Sequence, residues 1–204
     1  MSLASPLNVG IYIYQDAEVL DFSGPYEVFS TANRVAEPSQ LFNVFLVSEL
    51  NQPVIARAGY SVNSQYSFAN HPQIDVLIVV GGVHNAELKK PDVIRWVSQT
   101  AKQATIVASV CTGVFLLAEA GLLANLRVTT HWEDLAALRK AYPMLSVVAA
   151  QRWVDAGKFV TSGGISAGID MSLYLVERLS SLALAEKTAK QMEYVWCKTS
   201  TSLV

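Results

Sequence analysis

The sequence predicts a doubly wound α/β sandwich, with a mostly parallel sheet covered by helices on both faces. Three observations predict it. Short, nearly all-apolar runs rich in β-branched residues, such as 75–80 and 105–110, read as strands buried on both faces. Segments with apolar residues at helical spacing fall between them. No repeat, low-complexity tract or long linker divides the chain, and 204 residues suit one domain spanning 1–204.

The elements follow in order. Residues 9–14 read as a buried strand. Residues 24–36 read as a helix, with Ser23 as its cap and Pro25 in its first turn, where a missing N–H costs little. A second strand covers 42–47. Gly59 and Asn63 interrupt β-forming residues over 54–68, which predicts a hairpin or an irregular β excursion. The strand at 75–80 ends on Gly81-Gly82. Residues 92–103 form a helix with Val93, Trp96 and Val97 on one face. The strand at 105–110 runs into a helix over 112–123, with Gly121 near its end. A short strand at 127–130 precedes a helix over 133–142, stopped by Pro143. Residues 147–160 have strand character on both sides of a turn at Asp155-Ala156-Gly157. Residues 165–194 are a long helical stretch with a break near Ser180-Ser181. Folds of this kind bind ligands at the carboxyl ends of their strands. Three loops there carry chemistry: the one after Tyr14, Gly81-Gly82, and 109–113.

Composition narrows the function. Fifteen Lys and Arg against 17 Asp and Glu leave a formal charge of −2, without the basic excess of a nucleic-acid binder. The longest apolar runs fall far short of the roughly 20 residues of a membrane span. No basic residue precedes Arg34, so the n-region of a secretory signal is missing. Two cysteines and three histidines, with no His pair at helical spacing, match neither a disulfide framework nor a zinc site. A soluble, cytoplasmic domain with no metal and no cofactor is expected.

The most informative segment is 106–115. A buried strand runs directly into a helix, with Cys111 at the junction, the arrangement of a nucleophile elbow. The N-terminus of the following helix favours a thiolate and predicts a depressed cysteine pKa. Thr112 offers a hydroxyl and Gly113 permits close backbone approach. A buried structural cysteine is the alternative, and Cys197 reads as an ordinary thiol. Asp16, Glu18 and Asp21 lie in the first βα loop, where a carboxylate next to Cys111 would move protons; capping or a solvated loop explains each of them equally well. His131 suits either a Cys–His pair or a structural hydrogen bond. Gly81-Gly82 amides offer an oxyanion hole or a plain turn. The glycines of 162–170 resemble a phosphate loop, but Ile169-Asp170 stands where Lys-Ser/Thr is required, so they read as a backbone pocket wall.

Taken jointly, the motifs resemble those of the ThiJ/PfpI family, the class I glutamine amidotransferase-like proteins, over residues 9–196. They are Leu20-Asp-Phe-Ser-Gly-Pro-Tyr-Glu-Val-Phe29, Ser109-Val-Cys-Thr-Gly113, Thr129-Thr-His-Trp132 and the 162–170 segment. Within the family the resemblance is to the isonitrile hydratase branch, and similar domains form the sensors of AraC-type regulators. The resemblance implies a flavodoxin-like fold and a homodimer. It implies Cys111 as nucleophile, Asp21 as acidic partner and Thr112 as the adjacent hydroxyl. Gly82 and the Thr112 backbone would give oxyanion contacts, with Gly163 and Ile165 around the sulfur and His131 as an accessory group. Thr112 stands where glutaminase-like branches carry His, Asp21 stands where deglycase-like branches carry Glu, and Tyr26 stands where hydratases can carry His. The chain ends soon after Trp196, where longer hydratases continue. Hydration of a small neutral isocyanide in a narrow apolar pocket is the leading expectation. Small-aldehyde chemistry and ligand or redox sensing are the rivals.

Overall fold

A computed structural model of the protein describes residues 5–200. Strand β1 (Leu7–Tyr12) leads through α1 (Val19–Val35) to β2 (Phe42–Ser48). Outside the main sheet, β3 (Val54–Ile55) and β4 (Ser61–Val62) pair as a small hairpin. The two-residue β5 (Tyr66–Ser67) then adds to the edge of β2. Next come β6 (Val76–Val79), α2 (Pro91–Gln103), β7 (Ile106–Val110) and α3 (Gly113–Glu119). An excursion follows through β8 (Arg127–Val128), α4 (Leu135–Ala141) and β9 (Ser146–Val147), in which β8 pairs with β9. The last strands, β10 (Trp153–Ala156) and β11 (Phe159–Ser162), make an antiparallel hairpin. Helices α5 (Ala167–Leu179) and α6 (Leu182–Gln191) follow.

The main sheet runs β10-β11-β7-β6-β1-β2-β5, and every neighbouring pair except β10–β11 is parallel. All residues of β6 and β7 are buried, as strands covered on both faces require. The β1–α1–β2 crossover steps toward one edge, and β6–α2–β7 steps toward the other. Crossovers that follow the right-handed rule and step in opposite directions put their helices on opposite faces. Accordingly α1, α5 and α6 pack together, and α2 packs with α3. The divergence point, between β1 and β6, is the topological switch where such sheets open a crevice.

Several predicted boundaries moved: the first strand lies at Leu7–Tyr12, the helix after Cys111 ends at Glu119, and the strand after it ends at Val128. Helix α1 begins at Val19, five residues early, with Glu18 in extended conformation before it. Ser23 is therefore inside the helix, its hydroxyl donating to Val19 O at 2.7 Å, and Pro25 lies in the interior. Asp21 thus belongs to the first turn of a helix, not to a loop. The helix predicted over 133–142 is split into a 3-10 turn, Trp132–Asp134, and α4. The hairpin turn is Gly157-Lys158, starting two residues later than expected, with Gly157 at φ 81°. The break at Ser180-Ser181 is present, and Ser181 caps α6 by accepting from Leu184 N.

Residues after α6 return to the domain. Cys197 N–H donates to Asp170 Oδ1 at 2.9 Å and Trp196 Nε1 to Asp170 O at 3.3 Å. Buried Asp170 is also ion-paired with Arg152.

Helix α3 meets β6 so closely that only glycine fits at its start. A Cβ on Gly113 would lie 2.8 Å from the Val79 carbonyl carbon, closer still to its oxygen, and 2.9 Å from Val80 O. These are backbone atoms at the end of a central strand, where there is little room to yield. Gly113→Ala is expected to destabilise the fold by about 3 kcal/mol or more, measured as a lowered urea midpoint. A loss under about 1 kcal/mol would show that the strand end can shift.

Candidate active site

Cys111 follows β7 directly and holds φ at 55°, in the left-handed region. For a residue with a Cβ this costs on the order of 1–2 kcal/mol, so the surroundings must impose it. They do so through hydrogen bonds. The Cys111 N–H is shared between Ser162 O at 3.2 Å and Gly163 O at 3.4 Å. Its carbonyl accepts from Thr130 Oγ1 at 2.9 Å. The elbow expected from the sequence is present, and Cys111 is only 8% exposed.

Asp21 is fully buried beneath it. Its Oδ2 accepts the Gly81 N–H at 3.1 Å, whereas Oδ1 has no hydrogen-bond partner among the described residues. Burial raises its pKa to about 8, helped by the Glu18 charge and opposed by the Gly81 amide, the Cys111 thiol and Arg57. At neutral pH Asp21 therefore carries a proton. Gly81 lets the two groups share one wall: a Cβ there would lie 2.7 Å from both Asp21 Oδ2 and Cys111 Cβ.

The depressed thiol pKa is overturned. Burial raises the Cys111 pKa, and the Asp21 carboxylate raises it further; only the Thr112 amide among the main influences works the other way. One amide at the start of a seven-residue helix does not offset removal of a thiolate from water. The resting sulfur is a thiol.

Gly82 and Thr112 occupy each other. Gly82 N–H donates to Thr112 Oγ1 at 3.0 Å, and the Thr112 hydroxyl donates to Gly82 O at 3.0 Å. This reciprocal bond ties the end of β6 to the elbow. It leaves the Thr112 amide, which faces the sulfur, as the available donor. Gly163 backs the Cys111 amide, but Gly164 meets the sulfur: a Cβ there would lie 2.7 Å from Cys111 Sγ and 2.8 Å from His131 Cδ2. His131 thus borders the site on the same side of Gly164 as the sulfur and lines the same cavity, with Nδ1 3.7 Å from both Glu133 and Asp134. The structure thus brings Cys111, Asp21, Thr112, Gly82, Gly163, Ile165 and His131 to one place. Sequence reasoning did not name Gly164, although it is the second glycine of a pair already singled out.

Above the sulfur lies a cavity of about 430 Å³. Its rim carries Glu18, Arg57, His84, Glu133 and Asp134, with Ile165 and Val83 as its larger apolar members. The narrow apolar pocket expected from the sequence is corrected by this charged rim. Two of the carboxylates come from the 3-10 turn that the sequence reading had merged into a helix. His84 stacks on Phe115 with ring centroids 4.5 Å apart, and burial lowers its pKa. Tyr26 is not among the lining residues; its hydroxyl accepts from Gln65 Nε2 at 3.3 Å.

Among the described residues no group of three or more His, Cys, Asp or Glu is arranged to hold a metal ion. No described helix is long and apolar enough to cross a membrane.

Comparison with known proteins places this geometry. An isonitrile hydratase from Pseudomonas putida is 33% identical over 190 residues, covering 92% of this chain and 78% of the relative. The HTH-type transcriptional regulator CdhR from Pseudomonas aeruginosa is 32% identical over 173 residues, 85% of this chain. The chain spans about half of that regulator's length, 51%. A crystal structure of a ThiJ/PfpI family protein from Pseudomonas syringae superposes with TM-score 0.83 at 25% identity, covering 94% of this chain and 76% of that one. Drosophila melanogaster DJ-1beta superposes with TM-score 0.81 at 17% identity, covering 94% of this chain and all of that one, a likeness of fold. These relatives include both an enzyme and regulators. The DJ-1/PfpI family profile matches residues 8–178, and the chain belongs to the DJ-1/PfpI family.

Proposed function

We propose that the chain is a cofactor-independent hydratase that converts an organic isocyanide to its N-substituted formamide. The observation that carries the reading is the fully buried Asp21, with one oxygen unpartnered among the described residues, beside a thiol at the floor of a cavity, where burial raises its pKa to about 8. Similarity to an isonitrile hydratase supports it.

The chemistry requires a nucleophile and a group that both gives and takes protons. The Asp21 carboxyl proton goes to the terminal isocyanide carbon as the Cys111 sulfur bonds to it, and the thiol proton passes to Asp21. The product is a thioimidate, R–N=CH–S–Cys111, with Asp21 again protonated. Water then adds to that carbon while the nitrogen gains a proton. The C–S bond breaks, the hydroxyl proton returns to sulfur through Asp21, and R–NH–CHO leaves. One water is consumed and the thiol is restored. An acid with a pKa near the working pH suits both transfers, and the Thr112 amide is placed to steady the negative charge that develops beside the sulfur.

Conversion of a simple aryl isocyanide, followed by formamide formation, tests the reading. Saturable turnover is expected, with a rate that falls above about pH 8 as Asp21 loses its proton. Absence of turnover, with tight reversible binding of a small ligand, would favour a sensing role, to which the similarity with CdhR points.

A further inference from the structure

We propose that the cavity over Cys111 selects substrates bearing a positively charged group on the side away from the reacting carbon. This rests on Cys111 being the reacting group and adds the substrate's charge class. Three carboxylates, Glu18, Glu133 and Asp134, line the cavity against one guanidinium, Arg57. Arg57 is already engaged, 3.6 Å from Glu18. That pair roughly cancels, which leaves two carboxylates, Glu133 and Asp134, about the single imidazole of His131 as the remaining acidic excess of the mouth. Among the described residues both reach only His131 Nδ1, at 3.7 Å. Asp134 is two-thirds buried and Glu133 mostly exposed, so Asp134 acts through the less screened path. Its field reaches the floor, adding to the burial-driven rise at Cys111 and opposing the burial-driven fall at His84. Below them all, the buried Asp21 oxygen without a partner offers no positive charge to balance the rim. An anionic substrate would meet repulsion at the mouth and at the sulfur, whereas an ammonium group at the mouth is attracted while its electrophilic end reaches Cys111.

The test labels Cys111 in a Cys197→Ser background with three methanethiosulfonates: neutral methyl, cationic 2-aminoethyl and anionic 2-sulfonatoethyl. Each transfers its S–R group to the thiol and releases methanesulfinic acid, so the reaction is the same and only the charge differs. Rates are divided by those for 2-mercaptoethanol. The normalised cation-to-anion ratio is expected to be about tenfold or more at low salt. It should shrink in 0.5 M salt, shrink in Glu133→Gln, and approach one in Asp134→Asn. A ratio near one in the unmodified chain at low salt, with Cys111 readily labelled by the neutral reagent, would overturn the charge preference and leave the reaction intact. Failure of all three reagents to reach Cys111 would overturn both.

Discussion

Replacing Cys111 with alanine is expected to lower isocyanide hydration by about four orders of magnitude or more, to the uncatalysed rate. The sulfur is the one group in the cavity that can hold the carbon through a covalent intermediate, and no neighbouring side chain replaces it. His131 lines the same cavity but is engaged by Glu133 and Asp134, and the Thr112 hydroxyl is committed to Gly82. The fold should survive. The residue is small, and its position is set by backbone hydrogen bonds to Ser162, Gly163 and Thr130 that alanine keeps. Alanine also keeps the strained left-handed backbone. Cys111→Gly removes that strain and should be about 1 kcal/mol more stable than Cys111→Ala, while equally inactive. Rate and thermal midpoint measured on both variants separate chemistry from folding. Appreciable turnover by either variant would remove Cys111 from the mechanism.

Asp21→Asn is expected to act in opposite directions on rate and stability. The amide can still accept the Gly81 N–H, but it cannot relay protons. A fall of about 10²- to 10⁴-fold is expected for loss of a general acid–base. Stability should rise, and the sign follows from proton binding. Unfolded, Asp21 loses its proton near its ordinary 3.8; folded, it keeps it to about 8. Between these values the folded state binds the extra proton, so raising the pH weakens the wild type by about 1.4 kcal/mol per unit from this group. Asparagine carries no such burden. Urea unfolding at pH 5 and pH 8 should show the variant's advantage growing by several kcal/mol. Parallel pH dependence in the two proteins would mean that Asp21 ionises as an ordinary surface carboxylate does.

Much of the fold was legible because parallel strands buried on both faces have little but apolar residues, as in 76–80. The start of α1 was not, because Ser23 and Pro25 carry the local signature of a helix N-terminus while packing places that terminus at Val19. The edge strand β5 was invisible because two residues have no periodicity. At the site, Cys111 stood out from its junction alone. Asp21 did not, since three carboxylates shared its segment and only resemblance chose among them. The thiol's raised pKa depends on burial by distant elements, which a single sequence does not display. The bond between Gly82 and Thr112 joins residues 30 apart, and neither residue announces the other.

The reciprocal bond, the shared Cys111 amide and the glycines at 81, 113 and 164 have one consequence for descent. The floor of the cavity is main chain, and the few side chains that react stand on it. The rim is drawn from separate loops at residues 18, 57, 84 and 133–134. A change at the floor disturbs the sheet, whereas a change at the rim disturbs only what enters. Appetite and reactivity are therefore inherited separately, and a lineage on this scaffold can exchange its diet, or turn from consuming a molecule to sensing it, without rebuilding the place where the sulfur stands.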